Sequence, residues 1–281
     1  MENKGVKKLL VLISITVAVL MAAGCASNSA TQNNGSASKK KIIVATGGEP
    51  KPFSYVDEKN EITGYDIEIV KAIFAKLPQY EVSFEKTEFT SIFAGLDSDR
   101  YQIGANNFAM NKERKEKYIY SNPIFKNQFV IAVAANNTSI HSFSDLPGKR
   151  SEVNAGTNYT TALEKYNKEH VDKPVLLSYT EADLVPILQN VESGKFDFQL
   201  IDAAILEKYI NEYGLKLKTI PLTKEASDLI SSTPYSYLLI NKGPNGEQLT
   251  NDINTVLAEL IKDGTITAIS QKYFRADHAP K

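Results

Sequence analysis

The sequence predicts an α/β protein built as two lobes. Three observations carry this expectation. Short apolar runs alternate with helix-period stretches along most of the chain, the pattern of βα units on a parallel sheet. The alternation starts afresh near residue 129, after a first round that ends near residue 105. The segments Leu96-Asp97-Ser98-Asp99-Arg100-Tyr101 and Val191-Glu192-Ser193-Gly194-Lys195-Phe196 fall at the same place in each round: a helix end, then Ser, a basic residue and an aromatic, then a strand. The length of 281 residues agrees with roughly two domains.

In the first round, residues 41–46 (KIIVAT) form a short apolar strand that feeds a loop at Gly47-Gly48. Ile67, Val70, Phe74 and Leu77 recur at helical spacing, with Asp66 as the expected N-cap. Residues 81–84 read as a strand. Thr90 is placed to cap the next helix, whose apolar side is Ile92, Phe93 and Leu96. Residues 101–105 are strand again.

In the second round, residues 129–134 (FVIAVA) are continuously apolar and read as a buried strand. A short strand is expected at about 151–154 and a helix from Gly156-Thr157-Asn158 to about His170. Strand 175–177 follows. Asp183 caps the next helix, which tolerates Pro186 in its first turn. Strand 196–201 and helix 203–213 complete the round, and Gly214 stops that helix. The tail is helical: Leu249, Ile253, Val256, Leu257 and Leu260 make one apolar stripe, Gly264 breaks it, and Thr265 can cap a last helix over 266–274.

The N-terminus assigns a compartment. Lys4, Lys7 and Lys8 precede an apolar stretch over 9–23, of signal-peptide length and short for a membrane span. It ends in Ala22-Ala23-Gly24-Cys25. Small residues before the only cysteine resemble a bacterial lipobox, although Ala22 stands where that motif prefers Leu. Residues 1–24 are therefore expected to be a lipoprotein signal peptide and Cys25 the lipidated residue; an ordinary signal peptide with an incidental cysteine is the alternative. An uncleaved anchor helix leaves the small-residue run unexplained. Residues 25–40 contain no large apolar side chain and read as a flexible tether. The expected location is extracytoplasmic, on the cell membrane through a lipid.

Composition excludes several functions. With 32 Lys+Arg against 33 Asp+Glu there is no basic excess for nucleic acid. One cysteine allows no intrachain disulfide, and His141, His170 and His278 lie at no metal-ligand spacing. No dinucleotide fingerprint, P-loop or G-x-S-x-G elbow is present. His141 in a polar loop and His278 in the tail are poorly placed as bases, and His170 at a helix end reads as a favourable cation. Catalytic residues, metal and cofactor are each expected to be none.

What remains suits a zwitterion. A carboxylate is held well by the fork of Arg and by a helix N-terminus. An ammonium needs a carboxylate. Arg114, the helix start at Gly156-Thr157-Asn158, and Asp202 at a strand's C-terminal end are the candidate parts.

Pro52-Phe53-Ser54-Tyr55-Val56-Asp57 with Gly64-Tyr65-Asp66, Asn111-Lys112-Glu113-Arg114, Tyr120-Ser121 and Pro123 come first in a set of family-like motifs. Ser144-Asp145-Leu146, Gly148-Lys149, Gly156-Thr157-Asn158, Ser193-Gly194-Lys195-Phe196-Asp197, Asp202 and Asp263-Gly264-Thr265 complete it. In this order, over nearly the whole mature chain, the set resembles the extracellular substrate-binding proteins of polar-amino-acid ABC transporters. The resemblance implies a two-lobed, type II periplasmic-binding-protein-like fold with two hinge strands. Lobe 1 would be 42–131 plus 241–281, and lobe 2 would be 132–240. It also implies a monomer that closes on one amino acid and passes it to permease subunits.

Carried over position by position, the resemblance places Arg114 on the α-carboxylate, with Thr157 and Asn158 as further donors, and Asp202 on the ammonium. Asn106 and Asn107 fall where ligand-touching residues stand. Ala109 replaces a frequent hydroxyl, so its contact would come from backbone. Phe89 would wall the side-chain pocket, or simply belong to the core. Pro50 replaces a second aromatic, and Gly47 an acid kept for basic ligands, which Glu49 could partly restore. Asn106-Asn107-Phe108 resembles the cystine subgroup, with glutamine and basic amino acids still open. Two rival readings are a same-fold dehydratase acting on an arogenate- or prephenate-like acid, and a surface adhesin or sensor.

Overall fold

The computed structural model describes residues 38–281. The leader, Cys25 and most of the tether fall outside the described residues. The first lobe opens with β1 (Lys40–Thr46), the hairpin β2 (Tyr55–Val56) and β3 (Ile62–Thr63), and α1 (Tyr65–Ala75). It continues through β4 (Tyr80–Lys86), α2 (Phe89–Asp97), β5 (Ile103–Ala109), α3 (Lys112–Lys117), β6 (Ile119–Tyr120) and β7 (Phe125–Lys126). The second lobe holds β8 (Phe129–Ala134), β9 (Arg150–Val153), α4 (Asn158–Glu169), β10 (Leu176–Tyr179) and α5 (Leu184–Glu192). It ends with β11 (Gln199–Asp202), α6 (Ala203–Tyr213), β12 (Leu217–Pro221) and α7 (Lys224–Ile230). The chain then returns to the first lobe with β13 (Tyr235–Ile240), α8 (Gly246–Lys262) and α9 (Thr265–Phe274).

The first sheet runs β4-β1-β5-β13-β6, with β7 also on β13. Strands β4, β1 and β5 are parallel, so their C-terminal ends share one edge; Thr46 pairs with Lys86 there. Strand β13 is antiparallel to β5 because it re-enters from the second lobe, and Ser236 faces Ala109. In the second lobe, β8 lies antiparallel between β11 and β12, and β9 pairs in parallel with β10. The all-parallel expectation fails for β8 and β13 for one reason: each is a strand that has just crossed between lobes.

The crossings set the boundaries. Residues 129–131, expected in the first lobe, already pair with β11 and β12. Residues 235–240, expected in the second, belong to the first sheet. The two crossings are tied at Asn127, whose N–H donates to Pro234 O at 2.9 Å.

Helix α8 buries Leu249, Ile253, Val256, Leu257 and Leu260, the stripe its periodicity marks. Three capping expectations change. Gly64, not Asp66, precedes α1; Glu88, not Thr90, precedes α2; and Gly264 precedes α9, with Thr265 its first residue. Gly64 is required where it stands. Its φ is 124°, and a Cβ there would lie 2.4 Å from Phe53 O. Freed from capping, Asp66 is drawn inside the lobe with no exposure.

Candidate functional site

The candidate site lies at the C-terminal strand ends of the two lobes, where ligands of open α/β sheets gather. Helix α3 (KERKEK) is charged throughout, and Arg114 is its only buried residue. Asn111 caps the helix by accepting from the Arg114 N–H at 2.8 Å. That cap turns the side chain inward. Its Nη1 donates to Ala109 O at 3.2 Å, and its Nη2 to Gly156 O of the other lobe at 2.8 Å. The guanidinium lies over the rings of Phe93 and Phe108, at 5.0 and 5.2 Å.

Arg114 is 7% exposed, and burial lowers its pKa to about 10, so it stays protonated at neutral pH. None of the ion pairs among the described residues includes it. A guanidinium has five N–H donors, and two are engaged. The remainder can receive a carboxylate.

The end of β5 is braced from two sides. Asn106 Oδ1 accepts from Gly47 N–H at 2.8 Å and from Thr46 Oγ1 at 3.0 Å. Asn107 has φ 49°, and its N–H donates to Asp66 Oδ2 at 2.6 Å. Asp66 Oδ1 and Asn107 Oδ1 are buried without partners, and burial lifts the Asp66 carboxyl to about 7. Sequence reasoning missed this brace; the signal was an Asp two residues past Gly64, inside the first turn of the helix that Gly64 precedes.

Phe89 opens α2, with ring centroids 5.3 Å from Phe93 and 5.8 Å from Phe108. A Cβ on Gly156 would stand 3.9 Å from the Phe89 ring, so this aromatic borders the second lobe as well as its own core. Thr157 caps α4, its Oγ1 accepting from Thr160 N–H at 3.1 Å. Asn158 is engaged at both ends. Its Nδ2 donates to Ile230 O at 2.9 Å and its Oδ1 accepts from Asn111 Nδ2 at 3.0 Å. Here Asn158 clasps the lobes together. Asn111, which the sequence offered only as part of a motif, is the other half of that clasp.

Asp202 has no exposure and ends β11. Its Oδ1 accepts from Ala204 N–H at 2.9 Å, capping α6, and its Oδ2 accepts from Gln128 N–H at 2.9 Å, at a crossing. Burial raises its pKa to about 7, against the pull of these N–H groups. Tyr159 lies close enough for Asp202 to help burial lift its hydroxyl well above 10. Glu49 reaches the other lobe, Oε2 accepting from Leu184 N–H at 3.3 Å at the start of α5. Burial, then Asp183, raises its pKa; the Leu184 N–H, Lys86 and Lys51 oppose. Beside it the Lys51 N–H donates to Tyr209 Oη at 3.2 Å.

The structure thus groups Arg114, Ala109, Phe89, Thr157 and Asn158 about one contact between the lobes, and puts Glu49 on another. Asn106 and Asn107 lie on the β5 edge, and Asp202 at a crossing. Cys25 lies outside the described residues. Among the described residues no cluster of three or more His, Cys, Asp or Glu could hold a metal ion.

The model of the bacterial extracellular solute-binding proteins, family 3, matches residues 42–276. The L-cystine-binding protein TcyJ of Bacillus subtilis is 31% identical over 274 residues, covering 97% of each chain. Among solved structures, one comes from work on glutathione import in Gram-positive bacteria via GshT and the cystine ABC importer TcyBC of Streptococcus mutans. It is 38% identical with a TM-score of 0.80, covering 86% of this chain and 98% of that one. An ancestral arginine-binding protein bound to arginine is 28% identical with a TM-score of 0.72, covering 84% and 99%.

Proposed function

The chain belongs to the bacterial extracellular solute-binding proteins of family 3, and from that premise we propose that it binds L-cystine between its lobes and delivers it to the permease of an ABC importer. The observation that carries the reading is Arg114: a buried, protonated guanidinium with no anionic partner among the described residues, at a contact between the lobes. A buried charge is costly unless it is paired. A ligand α-carboxylate on the free N–H groups of Arg114 is the fitting pair. Asp202, a buried carboxyl near a crossing, is the fitting partner for the α-ammonium.

Cystine is favoured by the curated relatives of that name. The protein acts by binding rather than turnover, as a monomer held to the membrane through a lipid on Cys25. A second reading, glutathione, is favoured by the 38% identity to the structure from the glutathione-import work.

The test is calorimetry of the purified protein, unfolded and refolded to strip ligand, against cystine, glutathione, glutamine and arginine. One-to-one micromolar binding of cystine is expected. Tight glutathione binding without cystine binding would replace the ligand and keep the class. Binding of none would overturn the reading and send the protein to a turnover assay with arogenate and prephenate.

A further inference from the structure

The charged groups at the contacts between the lobes form an unusual set. Arg114 is a cation without an anion. A second such cation is Lys86, at the C-terminal end of β4. Its methylenes lie along the Gly48 backbone: a Cβ on Gly48 would meet Lys86 Cε at 2.8 Å. Lys86 is exposed and takes part in no ion pair among the described residues. Against these stand two buried or half-buried carboxylates without a cation at ion-pair distance, Asp202 and Glu49, with the exposed Asp183, also in no ion pair, acting on Glu49. Asp202 is bonded only to N–H groups, and Glu49 only to the Leu184 N–H.

The placement of Lys86 follows from its neighbours. On one side Glu49, the residue after Gly48, touches the second lobe at Leu184. On the other, Phe89 borders it at Gly156. Phe89 is three residues from Lys86, a span of at most about 11 Å. The Lys86 side chain therefore packs beside the residue that precedes Glu49 and stands three residues from Phe89, and Glu49 lies close enough for the two charges to act on each other.

We infer that Lys86 and Glu49 form a second charged end of the cleft, which takes the far carboxylate and far ammonium of a double zwitterion. The inference rests on the binding reading above and narrows its ligand class. A simple amino acid has one carboxylate and one ammonium, and would leave Lys86 unmatched. Cystine has two of each, the complement of Arg114 with Asp202 at one end and Lys86 with Glu49 at the other. Glutathione has two carboxylates and one ammonium, so it matches Lys86 but not Glu49. No bond is made or broken; only charges are paired.

The test uses three ligands: cystine, glutathione and S-methyl-L-cysteine, which keeps one zwitterion and the sulfur. Calorimetry is done on the wild type, Lys86→Gln and Glu49→Gln. Lys86 is exposed, so the first variant keeps the packing. The second retains an amide oxygen to accept from Leu184 N–H. Lys86→Gln should weaken cystine at least about tenfold more than S-methyl-L-cysteine, as loss of a charged hydrogen bond requires. Glu49→Gln should weaken cystine more than glutathione.

If the wild type binds cystine and Lys86→Gln binds it equally well, the second end is refuted while the binding reading stands. Equal losses of cystine and glutathione in Glu49→Gln overturn the ammonium contact. A wild type that binds no amino acid refutes the binding reading itself, and that outcome is read before either variant is made.

Discussion

Replacing Arg114 by Ala removes the one cation that the first lobe buries at the contact with Gly156. Two losses follow, and they can be separated. Within the protein, the bonds to Ala109 O and Gly156 O go, with the packing on Phe93 and Phe108. These matter to the ligand-free fold, where hydrogen bonds from a charged donor contribute about 1.5–3 kcal/mol each. Toward the ligand, a desolvated charge pair loses one partner, which costs about 2–5 kcal/mol. A micromolar ligand is bound by about 8 kcal/mol. At about 1.4 kcal/mol per tenfold, affinity should fall by roughly thirty-fold to several thousand-fold. Calorimetry reads the affinity, and thermal melting without ligand shows that the variant folds. Arg114→Lys keeps the charge but loses the planar fork and should fall between the wild type and Arg114→Ala. A folded Arg114→Ala protein that binds cystine within about threefold of the wild type would refute the carboxylate clamp and the argument from unpaired burial.

Three further predictions test other parts of the site and fold. Ligand-free Asp202 titrates near 7 instead of 3.8, and a ligand ammonium beside it should lower that value. Binding below pH 7 should then expel its proton, so affinity rises with pH up to about 7 and levels off. Calorimetry at pH 6 in buffers of different ionisation enthalpy measures the release, and no release would remove Asp202 as the ammonium partner. Thr157→Ala deletes the cap of α4 and should lower stability by about 0.5–2 kcal/mol in urea unfolding; no change would show that the cap is not needed. Gly64→Ala forces a Cβ to 2.4 Å from Phe53 O at φ 124° and should cost about 3 kcal/mol or more; a wild-type urea midpoint would contradict the steric account.

Much of this was legible in the sequence where local chemistry decides the outcome. The α8 stripe, the start of α4 at Gly156-Thr157-Asn158 and the Gly214 stop follow from spacing and local chemistry alone. The paired segments after α2 and α5 have a real structural basis. Asp99 and Gly194 both adopt left-handed φ, 60° and 77°, and the aromatic after each returns a backbone bond to its helix. What stayed illegible depends on the other lobe. Nothing local marks Asn158 as a clasp for Asn111, or the Gly156 carbonyl as an acceptor for Arg114. Residues 129–134 were legible as a strand, but the lobe boundaries near 129 and 235 were not, because apolar runs reveal burial and not which sheet provides it. Asp66 was misread because an acid at a helix start looks like a cap, and only the φ of Gly64 shows that the cap has moved upstream.

The contacts between the lobes suggest why a ligand should control closure. Lobe touches lobe through neutral hydrogen bonds, Asn111 with Asn158, Ser231 with Met110 O at 3.0 Å and Lys51 N–H with Tyr209 Oη at 3.2 Å, through the charge-assisted bonds of Arg114 to Gly156 O and of Leu184 N–H to Glu49, and through the partly exposed pair Lys51–Glu212 at 3.4 Å. An exposed pair of that kind contributes about 0–1 kcal/mol, and the neutral bonds about 1 kcal/mol apiece. Against these gains, Arg114 is buried as a cation without an anionic partner among the described residues, and burial lifts the Asp202 carboxyl to about 7. Each such penalty is of the same order as several neutral bonds. On the proposed function these penalties oppose part of what the contacts gain, and a zwitterion bound between the lobes would favour closure by pairing both charges at once. A ligand that touched only one lobe would bind open and closed forms alike and shift nothing. Arg114 already reaches from its own lobe to Gly156 of the other, so the carboxylate contact proposed for it would depend on both lobes.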